Sequence, residues 1–124
     1  MHLPFVLSVM PAIVLLVTLG HGQEATEVFI PIGQSPGVSR IKSVIGIIVS
    51  CDWASGIVVS TDQAQQTATL TDETKVYLDR SAAKKSGTEG SRSDCQKGRR
   101  VEVKYVYEGE TRSARAEWIK IQAE

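Results

Sequence analysis

From Ile41 onward, short runs of β-forming residues recur at intervals of about ten, each bounded by turn residues, and this spacing commits the chain to a small sandwich or barrel. Val44-Ile45-Gly46-Ile47-Ile48-Val49 opens the series. It is apolar on both faces, so its strand is expected to be covered twice, with Gly46 where it bulges or bends. Asp52 to Gly56 makes the turn into Ile57-Val58-Val59-Ser60-Thr61, and Asp62 to Gln65 makes the next. In the third run Thr67, Thr69 and Thr71 alternate with Ala68 and Leu70, which predicts one wet and one dry face. Lys75-Val76-Tyr77-Leu78 is a short fourth run.

Residues 81–97 carry no periodic apolar face and read as a loop with room for one helical turn. A loop of that length inside a compact domain is functional or mobile. Arg99 to Tyr107 then sets Val101, Val103, Tyr105 and Tyr107 on one face, with Glu102, Lys104 and Val106 on the other. In the last run Ala114 and Ala116 share one parity while Ile119 and Ile121 hold the other. The inward phase must slip near Glu117-Trp118, as a β-bulge allows. Six strands, a bending glycine, a long loop and a closing hairpin predict an all-β domain: a small six-stranded antiparallel barrel of OB-like type over residues 41–124.

None of the 28 charged residues lies in the first 22 positions, where an apolar stretch ends in Gly20-His21-Gly22. This reads as a secretory signal peptide cut before Gln23, leaving a mature chain of 102 residues, or before His21 if Thr18-Leu19-Gly20 is the cleavage site instead. The competing reading, an uncleaved membrane anchor, is opposed by Pro4 and Pro11 and by the lack of a following basic cluster, so no stable membrane insertion is expected after cleavage. Cleavage there removes both histidines, and with them Ser-His-Asp, Cys-His and His-based metal chemistry. Cys51 and Cys95, two cysteines in an exported chain, are expected to form a disulfide. Residues 23–40 read as an extended arm around Val28-Phe29-Ile30-Pro31-Ile32, expected as a strand on the barrel's own surface, with docking on a partner as the alternative.

The order Gly46…Gly56-Ile57-Val58-Val59…Thr74-Lys75-Val76-Tyr77-Leu78-Asp79…Gly98-Arg99-Arg100-Val101-Glu102-Val103…Ala116-x-x-Ile119-x-Ile121 resembles an exported bacterial domain family of unknown function, built as a small OB-like β-barrel. The resemblance covers about Ser43 to Gln122. It implies a fold and an envelope location, and carries no catalytic residues. The cysteines and the Lys/Arg-rich loop are not part of the common pattern.

Residues 24–80 hold seven acids and four bases, whereas residues 81–124 hold seven acids and ten bases. The basic excess gathers around the long loop. Lys84, Lys85, Arg92, Lys97, Arg99 and Arg100 are therefore candidates for a binding rim, with Trp53 as a stacking face, for a polyanion such as nucleic acid, an anionic glycan or a lipid head group. The plainer reading is a solvated loop. Asp52, Asp62, Asp72, Glu73 and Asp79 fall at turns, where acids serve the backbone, and they make no calcium-loop series. Tyr77, Tyr105, Tyr107 and Trp118 sit at parities that suit core packing. No cofactor or metal is implied. The expected function is a non-enzymatic binding or adaptor module whose partner is a polyanion or another envelope protein. The alternative is a structural or stress-protective envelope protein without a ligand site.

Overall fold

The computed structural model describes residues 26–35, 43–110 and 113–123. The expected leader, its cleavage point and the remainder of the arm lie outside the described residues. Seven strands form one mixed sheet: β1 (Ser43–Asp52), β2 (Gly56–Ser60), β3 (Gln65–Ala68), β4 (Lys75–Asp79), β5 (Thr88–Glu89), β6 (Arg100–Glu108) and β7 (Ser113–Gln122). Their order across the sheet is β3-β2-β1-β6-β7-β4-β5. The six runs expected from the sequence are all strands. The seventh, β5, is a two-residue strand inside the long loop, which also holds two 3₁₀ turns, Ser81–Ala83 and Arg92–Asp94.

The expected six-stranded antiparallel OB-like barrel is corrected: the sheet has seven strands, is mixed and is not closed. β4 runs parallel to β7, pairing Lys75 with Trp118 and Asp79 with Gln122. A parallel pair needs a long crossover, and the chain between β4 and β7 supplies it. The sheet also stays open. It curls until β3's continuation meets β7 at one parallel bridge, Thr69 to Arg115, where Thr69 N donates to Ala114 O (2.8 Å) and Ala116 N donates to Thr69 O (2.9 Å). Beyond that point the turn at Thr71–Thr74 intervenes, closed by Thr74 N donating to Thr71 O. β7 therefore shares its free edge between Thr69 and β4, and no continuous closing ladder forms.

The phase slip in β7 is where the alternation demands it. Lys104 pairs with Trp118 while Tyr105 pairs with Ala116, so Glu117 is the extra residue of a bulge. Ala116, Ile119 and Ile121 all reach zero exposure as a result. In β1 the slip falls at Val49, between Ile48↔Val59 and Ser50↔Val58, rather than at Gly46. Gly46 has a different reason to be glycine: a Cβ there would lie 2.2 Å from Ser60 O of β2. The expectation that β1 is covered on both faces is also corrected. Ile48 is buried, but Ile45 (37%) and Ile47 (44%) are exposed.

The inner face carries the apolar core: Ile48, Ile57, Val59, Leu70, Val101, Val103, Ile119 and Ile121, with Cys95 at its margin. The outer face of β6, β7 and β4 holds a second buried set, Glu102, Lys120, Tyr77, Trp118 and Asp79. Glu102 faces Lys120, and Lys120 faces Tyr77, so these three form one row across the strands. Residues 26–35 roof this row. The arm thus lies on the domain's own surface, but as successive tight turns (Phe29 N to Thr26 O, 3.0 Å; Gln34 N to Pro31 O, 3.1 Å) rather than the expected strand. Proline at 31 has no N–H to give a ladder, which favours turns over a strand there.

Candidate functional site

Cys51 at the end of β1 and Cys95 at the end of the long loop are joined, with Cα atoms 6.0 Å apart. The bridge fixes the start of the segment 95–99, and the β1 backbone fixes the rest. Gly98 N donates to Ile48 O (2.8 Å), and Ile48 N donates to Arg99 O (2.9 Å). Gly98 turns with φ +92°, a conformation that side-chain-bearing residues avoid, and so sets the bend between Lys97 and Arg99. Arg100 follows as the first residue of β6.

These local constraints produce a groove of about 550 Å³ lined by Lys97, Arg99, Arg100, Ile47, Gln96 and Gln122, with Gly98 and Ala123 in its wall. Among the described residues no carboxylate lines it, and neither Lys97 nor Arg100 makes an ion pair. A second, smaller hollow shares Ala123 and is lined by Arg80, Lys85, Ala82 and Ala83. The groove and hollow together place five cations, Arg80, Lys85, Lys97, Arg99 and Arg100, around one stretch of surface. Arg80 was not marked by the sequence, because it lies before the loop at the end of β4.

The other candidates are arranged differently. Lys84 closes the Ser81–Ala83 turn in a left-handed conformation (φ 59°), exposed and outside the lining of either depression. Trp53 and Arg92 form a cluster of their own. The Arg92 guanidinium lies 5.0 Å above the Trp53 ring and binds Asp72 at 2.8 Å, and Trp53 Nε1 donates to Thr71 O (3.1 Å). One ring face and the ring N–H are thereby occupied. Trp53 packs against the core margin and is not part of the groove.

Two further sites escape sequence reading. The first is a cleft of about 370 Å³ on the inner side, between Val44, Val59, Val103, Tyr105, Tyr107 and Ala114. Tyr105 and Tyr107 meet edge to face at 5.6 Å. Burial and the neighbouring Tyr107 hydroxyl push the Tyr105 phenol up from its ordinary range. Both parities here were readable, but the opening follows from the curl of the sheet.

The second is the roofed polar row. Lys120 Nζ, with no exposure, donates to Glu27 Oε1 of the arm (2.8 Å) and sits 4.7 Å from the Trp118 ring. Ile32 N donates to Asp79 Oδ2 (2.9 Å), and Gly33 N donates to Glu102 Oε1 (2.9 Å). Burial pushes the Asp79 carboxyl up, but hydrogen bonds from Ile32 and Ser81 and the Lys120 charge outweigh it and hold it below its ordinary value. Glu102 Oε2 is buried with no hydrogen-bond partner among the described residues, a cost of about 1–3 kcal/mol carried by the docked arm.

Among the described residues no three His, Cys, Asp or Glu side chains cluster in a metal-binding arrangement, and no helix is long and apolar enough to cross a membrane. Comparison with protein-family models, curated proteins and solved structures returned no match.

Proposed function

We propose that the chain is an exported, non-enzymatic binding module, an OB-like curled barrel in design, that takes a polyanion along the groove at Lys97, Arg99 and Arg100. The observation that carries this reading is the convergence of these three cations in one groove, whose lining among the described residues is otherwise uncharged. Such a groove can follow a phosphate or sulfate chain, and the Arg80 and Lys85 hollow extends the track past Ala123. The disulfide is weakly consistent with an oxidising, extracytoplasmic compartment. The bridge from Thr69 to Arg115 supports the barrel-like reading of the curl.

The test is a titration of the mature chain with a fluorescent single-stranded DNA and with an anionic glycan, over a range of salt. Three phosphate contacts give a slope of about −2 in log K against log salt for a single strand. Reversing Lys97, Arg99 and Arg100 to Glu is expected to weaken binding at least ~10-fold with the fold intact. No binding at low salt, or binding indifferent to the triple reversal, overturns the reading. Absence of binding favours the structural or stress-protective alternative.

A further inference from the structure

The described part of the arm, residues 26–35, contributes no strand to the sheet, yet it covers three charged groups that the sheet itself sets in place. Glu102 and Lys120 face each other across the β6–β7 ladder, and Asp79 also accepts from Ser81 N (2.8 Å), a contact that involves no arm residue. The arm answers each of them: Glu27 for Lys120, Ile32 N for Asp79, Gly33 N for Glu102. Its ends are joined to each other, since Ser35 Oγ donates to Glu27 Oε1. A preformed receptor row and a self-organised segment that satisfies it through side-chain ions and backbone N–H groups have the anatomy of a peptide complex.

Two observations show that the contact is shaped and also imperfectly satisfied. A Cβ on Gly87 would lie 2.1 Å from Val28 O, so the loop side of the receptor is cut to admit the arm's backbone. Glu102 Oε2 is buried beside the arm with no hydrogen-bond partner among the described residues, so the docked state leaves one polar atom unsatisfied. Only seven residues, 36–42, join the arm to β1, and they include Pro36 and Gly37.

We propose that the outer face of β6, β7 and β4 is a peptide-binding surface occupied in cis by Thr26–Ser35, and that it takes the same segment from a second copy of the chain. The second copy is the occupant the surface fits, because it brings a carboxylate at Glu27 for the buried ammonium and the turn that aims two N–H groups at Asp79 and Glu102. It also brings apolar surface to cover. Phe29 on the arm is 60% exposed, and Ile45 of the adjoining β1, beside Gly33, is 37% exposed. Exchange of a tethered segment between identical chains reuses every cis contact and adds this surface.

Sedimentation of the mature chain across a concentration series is expected to show a reversible monomer–dimer equilibrium, and Gly87→Ala is expected to return it to monomer by blocking the arm's path. Glu27→Lys and Lys120→Glu each oppose like charges and should be monomeric alone, whereas in their mixture the exchanged arms place position 27 of each chain against an opposite charge at position 120 of the other, two Lys–Glu pairs, and should give a heterodimer. Where Lys120→Glu fails to fold, carbodiimide coupling in mixed ¹⁴N and ¹⁵N wild-type chains supplies the same information, as Glu27–Lys120 cross-links of mixed isotope. A chain that stays monomeric to millimolar concentration overturns the proposal. So does a dimer that survives Gly87→Ala, or one whose Glu27–Lys120 cross-links join only chains of a single isotope.

Discussion

Ile119 and Lys120 are neighbours on β7, and both side chains are fully buried, yet they are buried by different agents. Ile119 points into the inner face, where β1, β2 and β6 pack around it. Lys120 points outward and is buried because residues 26–35 lie over it. The inner face cannot open without breaking the sheet. The outer face is covered instead by a ten-residue segment, 26–35, that adds no strand to the sheet. Equal burial therefore does not mean equal contribution to stability: a group covered by a removable roof can lose no more than the free energy that holds the roof down.

The largest expected effect tests the inner side. Reduction of Cys51–Cys95 frees a loop of 44 residue steps, which the chain-entropy model values at about 4 kcal/mol, and the thermal midpoint should fall accordingly. The same reduction loosens the segment that presents Lys97 and Arg99. Polyanion affinity should therefore drop at temperatures where the reduced sheet is still folded, as near-ultraviolet dichroism would report.

The two neighbours on β7 provide the sharper contrast. Ile119→Ala leaves a cavity in a packed core and should cost about 2–5 kcal/mol in denaturant unfolding. Lys120→Met removes a buried ammonium that must be desolvated, and Glu27 can return to water with the arm, so global stability should change by no more than about 1 kcal/mol. Its signature is local, with faster amide exchange and proteolysis within residues 26–35. Equal losses of global stability from the two substitutions would show that the arm belongs to the cooperative core.

The smallest effect is acid release of the arm. Asp79 titrates below its ordinary value in the folded chain, so its contribution is present above the unfolded carboxylate pKa and is lost as pH falls through the lowered folded one. Arm protection should hold from neutrality to about pH 4 and decline below it, before the inner core unfolds. Amide exchange of Ile32, whose N–H is bound by Asp79, is the direct measurement.

Much of the inner face was legible in the chain. The alternation of Val101 and Val103 with Glu102, the phase change between Ala116 and Ile119, and the pairing of two cysteines each follow from the period-2 geometry of strands or from simple count. Among the rim candidates, Lys97, Arg99 and Arg100 were grouped by sequence and do meet in one groove. Trp53 and Arg92 were grouped with them but are held apart in a cation–π pair beside Asp72. Nearness along a loop does not fix which way each side chain turns.

What the sequence determined by itself was not β5 or the slip at Val49 of β1, but where the six main strands lie, the alternation of faces in β6, and the phase slip in β7. These are local properties of backbone geometry and hydrophobic period. Strand direction, the open edge shared by Thr69 and β4, and the burial of Glu102 and Lys120 were decided only by the tertiary structure. Alternation assigns a residue to a face but carries no record of what lies over that face. Here it is a segment about seventy positions from Glu102 and more than ninety from Lys120 that turns a polar outer surface into a buried one.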